Sequence, residues 1–199
     1  MSEKPPRLTV DEYFDLIALT FACRGTCDRL RTATVLRDAD NILIAGGYNG
    51  AISGLPHCDD IGHLMVENHC LRTNHGEENA LLNCLDLSRI KNGVATIIGN
   101  PCYPCARKIL SKNVKKLRYI GTYHNPLGGD HVKELCDQKG VVLEFVDVGE
   151  VLKTLQKAID FLQGSGGPFR NLAKITIKFE TALPEEERVS PNEVGREKK

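Results

Sequence analysis

His75, Glu77, Cys102 and Cys105 are the residues of this chain whose types and spacing can do chemistry together. Pro101-Cys102-Tyr103-Pro104-Cys105 is a Cys-x-x-Cys opening a helical pattern, which puts both sulfurs on one side of one turn. Unpaired N–H groups and the positive end of the helix dipole favour thiolate over thiol there. His75 opens the preceding helical pattern and can supply a third ligand. Three protein ligands leave the fourth position of a tetrahedral zinc ion to water, as a catalytic site requires and a closed structural site does not. Zinc lowers the pKa of such a water toward about 7. Glu77, two residues after the histidine, can take the water's proton and hand it on. Each half is weak alone, since a Cys-x-x-Cys also occurs as a redox pair or as half of a zinc ribbon. The two halves in this order, with a strand-like run between them, are specific.

The elements that must position these residues follow from periodicity and capping. Thr9 with Glu12 is a capping box opening an amphipathic helix over about 9–25. Strand-like runs at Ala33–Arg37 and about 42–48 flank the turn Asp38-Ala39-Asp40-Asn41. An irregular stretch, 50–74, follows with three glycines, one proline, two cysteines and three histidines. A loop that long in a compact domain is functional or pinned. Helices are expected at about 77–87, 102–112, 130–139 and 149–162, and strands at about 94–99, 117–122 and 141–146. Strands alternating with helices imply a sheet with helices packed on its faces. Gly164-Ser165-Gly166-Gly167-Pro168 reads as a flexible break. Beyond it, 173–180 could form one more strand, and 184–199 is charged and proline-containing, with the composition of a poorly ordered tail. The expected division is therefore a domain over 9–162 and a C-terminal extension over 163–199.

His-x-Glu followed by Pro-Cys-x-x-Cys is the pattern of zinc nucleobase deaminases. The chain resembles the deoxycytidylate (dCMP) deaminase family, including its late-competence type. The resemblance is carried by Thr26-Cys27-Asp28-Arg29, Ala45-Gly46-Gly47-Tyr48-Asn49-Gly50, His57-Cys58, Asn68-His69-Cys70-Leu71-Arg72-Thr73, His75-Gly76-Glu77-Glu78-Asn79-Ala80 and Pro101-Cys102-Tyr103-Pro104-Cys105. It implies the cytidine-deaminase α/β/α sandwich around a mixed five-stranded sheet, and hydrolysis of dCMP to dUMP and ammonia, which supplies dUMP for thymidylate synthesis. His75, Cys102 and Cys105 take the zinc-ligand roles and Glu77 the proton-shuttle role. Asn49 matches an asparagine that contacts the sugar, although an asparagine before glycine is also common in turns for backbone reasons. The family is often controlled by dCTP and dTTP, with magnesium, at a site involving Gly-Tyr-Asn-Gly, to which Tyr48 and Asn49 belong. Its members are commonly hexameric. Two departures stand out: Gly76 replaces the usual alanine between histidine and glutamate, and Thr32-Ala33-Thr34-Val35 replaces Val-Gly-Ala-Val.

The eight cysteines ask for more than one explanation. Cys27, Cys58 and Cys70 are not used by the first zinc, and His57, His63 and His69 lie among them. Family members often have cysteine where this chain has His63. Cysteine and histidine both ligate zinc, so Cys27, Cys58, His63 and Cys70 form a proposed second zinc site, with His57 or His69 as alternate fourth ligands. That site would tie the first helix to the 50–74 stretch. Cys23, Cys84 and Cys136 read as packing residues. For a phosphate, Arg29 and Lys108 are the candidate cations.

Composition removes other classes. With 26 basic and 26 acidic side chains the net charge is zero, so there is no general field to attract polyanions. Aromatic residues are 6%, which is poor for stacking single-stranded bases. A deaminase acting on tRNA or single-stranded nucleic acid is thus disfavoured, and an intact Glu77 argues against a non-catalytic zinc protein. No run approaches the roughly 18–20 apolar residues that cross a bilayer. The first ten residues lack a secretory pattern, so a cytoplasmic protein with reduced thiols is expected.

Overall fold

The computed structural model describes residues 6–67, 69–123, 125, 128–172 and 174–178. Helix α1 (Val10–Ala22) starts at the expected box: Thr9 accepts from the Glu12 backbone at 3.2 Å, and Glu12 accepts from the Thr9 backbone at 2.6 Å. Strands β1 (Ala33–Arg37) and β2 (Leu43–Tyr48) follow. A short helix α2 (Cys58–Ile61) and a two-residue hairpin, β3 (Met65–Val66) and β4 (His69–Cys70), occupy the stretch read as irregular. Then come α3 (Gly76–Leu82), a 3₁₀ turn (Leu87–Ile90), β5 (Val94–Ile98), α4 (Tyr103–Leu110), β6 (Lys116–Ile120), α5 (Asp130–Lys139), β7 (Val142–Val146) and α6 (Val148–Gln163).

The main sheet has the order β2-β1-β5-β6-β7. β1 runs antiparallel to both neighbours, while β5, β6 and β7 are parallel. The α/β/α sandwich with a mixed five-stranded sheet is therefore as expected. One face packs Leu36, Ile97 and Leu117 against Ala80, Ile109 and Cys136 of the α3, α4 and α5 layer. The other packs Val35, Ile120 and Val146 against Phe14, Ala18 and Val151 of α1 and α6. β1 is buried along its whole length: its apolar residues face the two layers, Arg37 bonds Asp11, and the Thr34 hydroxyl is buried without a hydrogen-bond partner among the described residues.

That second face also holds an ionic layer that periodicity does not announce. Arg118 on β6 donates twice to Asp15 on α1, at 2.8 and 2.7 Å, and also to Glu144 on β7. Lys116 bridges Asp11 at 3.1 Å and Glu144 at 2.9 Å. Arg37 bonds Asp11 and lies 4.8 Å over the Phe14 ring. Charges this deep are tolerated because each faces an opposite charge.

Three expectations are corrected. The helix read over 77–87 ends at Leu82, because the Asn83 amide turns back to donate to the Gly46 carbonyl at 2.9 Å, and Asp86 then caps the 3₁₀ turn at Ser88. The described part of the 173–180 segment, residues 174–178, is not a strand. Its backbone is instead held by the side chains of Gln156 and Gln163 on α6. Residues 184–199 lie outside the described residues. Cys84 and Cys136 are buried as packing residues, but Cys23 is exposed at the end of α1, its thiol on the Leu19 carbonyl.

Candidate active site

The C-terminal end of β5 delivers the chain into α4, and this is where the expected cluster assembles. Cys102 is the N-cap of α4, and Pro104 sits in its first turn, where no N–H is needed. Cys102 and Cys105 therefore share one side of the turn. His75 is the N-cap of α3, its backbone N–H donating to Glu78 at 3.2 Å. A backbone bridge places it: Gly50, just past β2, pairs with Asn74. The Asn79 side chain clamps this junction from α3, accepting from Asn74 at 3.1 Å and donating to the Tyr48 carbonyl at 2.8 Å.

His75 Nδ1 lies 3.5 Å from Cys102 Sγ and 3.4 Å from Cys105 Sγ. A tetrahedral zinc with bonds of about 2.3 Å to sulfur and about 2.0–2.1 Å to nitrogen has an S···N edge of about 3.6 Å. The three donors therefore fit a zinc ion. Contact with Cys102 pushes His75 up to about 9, and bonds from Cys105 and His75 bring Cys102 down to about 4 despite burial. The Cys102 contact and burial in turn push the Cys105 thiol up, so without a metal the negative charge of the cluster sits on Cys102 beside the His75 imidazolium. Glu77 is buried beside this group, and burial pushes its carboxyl up against the opposing influence of His75.

The cluster opens on a cavity of about 480 Å³, within the roughly 300–1,000 Å³ of small-molecule sites. Asn49 and Arg29 line it, and Tyr48 and Lys108 are not among its lining residues. Asn49 is held by the Thr32 N–H, donated to its Oδ1 at 2.9 Å, and its amide reaches the Cys27 carbonyl at 3.4 Å. Lys108 is paired with Glu78 on the helix surface. Thr32, Ile98, Asn100, Tyr123 and Asn125 also line the cavity, and sequence reading missed them. Asn100 and Tyr123 follow the ends of the parallel neighbours β5 and β6, where Asn100 Oδ1 accepts from the Tyr123 backbone at 2.9 Å. Asn125 donates to the Tyr123 hydroxyl at 3.1 Å. Burial and the charge of Glu77 push that hydroxyl's pKa up, which keeps it neutral. The available signal was Gly99, whose φ of +83° turns the chain out of β5 and leaves room for the Tyr123 ring.

Cys27, Cys58, His63 and Cys70 form a second group whose ligand atoms all lie within 4.8 Å of one another. Cys27 Sγ is 3.6 Å from His63 Nδ1, and the Cys58 and Cys70 sulfurs are 3.5 Å apart. Burial raises the Cys27 and Cys58 thiols; at Cys70 the backbone N–H groups of Arg72 and Leu64, with the Cys58 and His63 side chains, together outweigh burial and bring it down to about 6. Neither alternate histidine joins the group. His57 Nδ1 accepts from the Ala51 N–H at 3.3 Å and contacts Thr26 Oγ1 at 3.0 Å, while His69 lines the cavity.

The two departures noted in the sequence meet in space. A Cβ at Gly76 would come within 2.9 Å of the Ala33 backbone and 3.2 Å of the Gly47 carbonyl. Here the strand carries a methyl at 33 and the helix carries none at 76, the reverse of the usual pairing. Gly76→Ala should cost about 1–3 kcal/mol by overpacking, read as a lower Tm. Adding Ala33→Gly should change that cost non-additively, because the residues touch. Strict additivity in thermal denaturation would sink this account.

Comparison with known proteins agrees with the geometry. The family model for the cytidine and deoxycytidylate deaminase zinc-binding region matches residues 8–120. The chain is 35% identical over 162 residues to ComE operon protein 2 of Bacillus subtilis (strain 168), covering 79% of this chain and 83% of that protein. It is 30% identical over 149 residues to the deoxycytidylate deaminase of Schizosaccharomyces pombe, covering 67% of this chain but only 42% of the yeast protein. The fold is similar to that of dCMP deaminase from the cyanophage S-TIM5 solved with dCMP and dUMP. The TM-score is 0.57 at 22% identity, covering 71% of this chain and 99% of that one. No helix among the described residues is long and apolar enough to cross a membrane.

Proposed function

Since the chain belongs to the cytidine and deoxycytidylate deaminase family, whose members are zinc-binding hydrolytic deaminases, we propose that its own substrate is dCMP. The reaction is dCMP + H₂O → dUMP + NH₃. What carries this reading is the triangle of His75, Cys102 and Cys105 beside buried Glu77, on a cavity the size of a nucleotide. His75, Cys102 and Cys105 would hold the zinc, which supplies water acidified toward a pKa of about 7. Glu77 takes a proton from the attacking water, delivers one to ring N3, and moves one to the departing 4-amino nitrogen as the C4–N bond breaks. Asn49 is pre-set by its bond to Thr32 to meet the sugar. Arg29 faces the same cavity as the partner for the 5′-phosphate.

The rest of the proposal extends this core. The deaminase domain spans 9–162 with an extension over 163–199, a reading supported by the last regular element among the described residues ending at Gln163. Cys27, Cys58, His63 and Cys70 hold a second, structural zinc, supported by their mutual distances. Control by dCTP and dTTP with magnesium at Gly47-Tyr48-Asn49-Gly50, assembly into a homo-oligomer such as a hexamer, and a place in cytoplasmic nucleotide metabolism rest on family resemblance.

The test is ammonia release by zinc-loaded protein from dCMP, CMP, dCTP, deoxycytidine and a short RNA. The highest kcat/KM should be for dCMP. Silence toward every cytosine substrate, or turnover of RNA alone, would overturn the reading. Arg29→Ala should raise the KM for dCMP about 10–100-fold, the equivalent of one charge-assisted hydrogen bond. Its kcat should hold, and deoxycytidine, which lacks the phosphate, should show little change.

A further inference from the structure

We propose that Asp28 is a positioning residue. It fixes His63 so that the Cys27, Cys58, His63 and Cys70 group binds its metal, and that metal braces one wall of the substrate cavity. The inference rests on reading the group as a second zinc site.

The geometry of the imidazole comes first. His63 Nε2 lies 3.0 Å from Asp28 Oδ1, while Nδ1 points at Cys27 Sγ, 3.6 Å away. A neutral imidazole carries one N–H, and a carboxylate 3.0 Å from Nε2 favours the tautomer with that N–H on Nε2 and a lone pair on Nδ1. That is the nitrogen turned toward the three sulfurs. The carboxylate also sets the ring plane and raises the basicity of the coordinating nitrogen, as such partners do at other metal sites. Asp28 is next to Cys27 in the chain, so one short segment after α1 provides both a ligand and the group that orients another ligand 35 positions onward.

The wall follows from where these residues sit. Cys27 and Cys70 themselves line the substrate cavity, and so do Arg29, His69 and Thr73, all within three positions of a ligand. Apolar packing does little to hold this wall. The β3–β4 hairpin has two residues per strand, and Leu55, Ile61, Leu64, Met65, Val66 and Leu71 are exposed instead of forming a core. A lone two-stranded hairpin of this size is marginal in water. The four-ligand group adds a largely buried cross-link between this excursion and the turn after α1, where the other ties include the Thr26–His57 contact at 3.0 Å and the exposed Arg31–Asp59 ion pair at 3.2 Å. Losing it should loosen Arg29 and His69 while leaving β5, α3 and α4, which carry the first zinc group, in place.

The experiment compares wild type, Asp28→Ala and Asp28→Asn as full-length holoprotein. Zinc per chain is measured during titration with a chromogenic chelator, and the protein is then reloaded with cobalt(II) for absorption spectra. Wild type should carry two zinc ions. Asp28→Ala should lose one of them at roughly 10–100-fold lower chelator concentration. Asp28→Asn, whose Oδ1 can still accept from Nε2, should fall between. The cobalt d–d bands should shift in Asp28→Ala as imidazole leaves the three thiolates, and bands of the two-sulfur site should stay. KM for the cytosine nucleotide turned over should rise several-fold, with kcat changed less than about twofold. Two zincs held equally tightly by Asp28→Ala and wild type would remove the role of Asp28. Loss of the second zinc with unchanged KM would remove the wall. A single zinc in wild type would instead overturn the second-site reading itself.

Discussion

Glu77→Gln is expected to keep its zinc and lose deamination by about 10²–10⁴ in kcat, the range for removing a general acid–base group. Glutamine matches glutamate in volume and fills the same buried space, where residue 77 is only 5% exposed. It cannot carry a proton from water to the ring and the amine. The neighbouring Glu78 is the internal control. Its carboxylate is engaged on the helix surface, with the His75 backbone N–H on one oxygen and Lys108 on the other. Glu78→Gln should therefore reduce activity only modestly. The measurement is kcat beside zinc per chain. A Glu77→Gln protein with two intact metals and kcat within tenfold of wild type would refute the proton-shuttle role.

Arg118→Ala is expected to be the most destabilising single change outside the site. It leaves Asp15 buried without its bidentate partner, since the side chains are only 9% and 3% exposed. Breaking a buried pair from one side costs about 3–5 kcal/mol, which for a domain of this size lowers Tm by roughly 6–20 °C. Replacing both partners, as Arg118→Met with Asp15→Leu, should recover most of the loss, because Asp15 is then not stranded and Glu144 keeps Lys116 at 2.9 Å. A double variant as unstable as Arg118→Ala would refute this account. The pH dependence has a definite sign. Burial raises the Asp11 and Glu144 carboxyls, but Arg37 and Lys116 on the first, and Lys116 and Arg118 on the second, outweigh it and hold both below their ordinary values. Their contribution is therefore present above the ordinary carboxylate pKa, and fades as pH falls through the lower folded values. In Arg118→Ala the Glu144 part of this acid dependence should weaken.

The order of elements was legible because it depends on local rules. Thr9 and Glu12 announce α1, and alternating strands and helices announce a layered sheet. The first zinc group was legible for a related reason. Cys102 and Cys105 are one turn apart on a helix, so their proximity needs no tertiary contact, and His75 heads the helix before them. The 50–74 excursion was the opposite case. Its ligands are separated by stretches with no periodicity, so composition alone left His57, His63 and His69 as competing fourth ligands. The ionic layer under α1 was not legible at all, because Asp15 and Arg118 are 103 positions apart and each looks like an ordinary surface charge.

By itself, then, the sequence singled out His75, Glu77, Cys102 and Cys105 as candidates, because His75 with Glu77 and Cys102 with Cys105 are spaced two and three residues apart within single turns. Only the tertiary structure decided that His63 joins the second group while His57 bonds Ala51. It alone brought Tyr123 and Asn125 into the cavity, put Asp28 behind His63, and turned Lys108 away to Glu78. Most of those outcomes depend on which distant backbone segments the mixed sheet and its connections bring within bonding distance. That is set by packing over the whole core, and no local window of residues contains it.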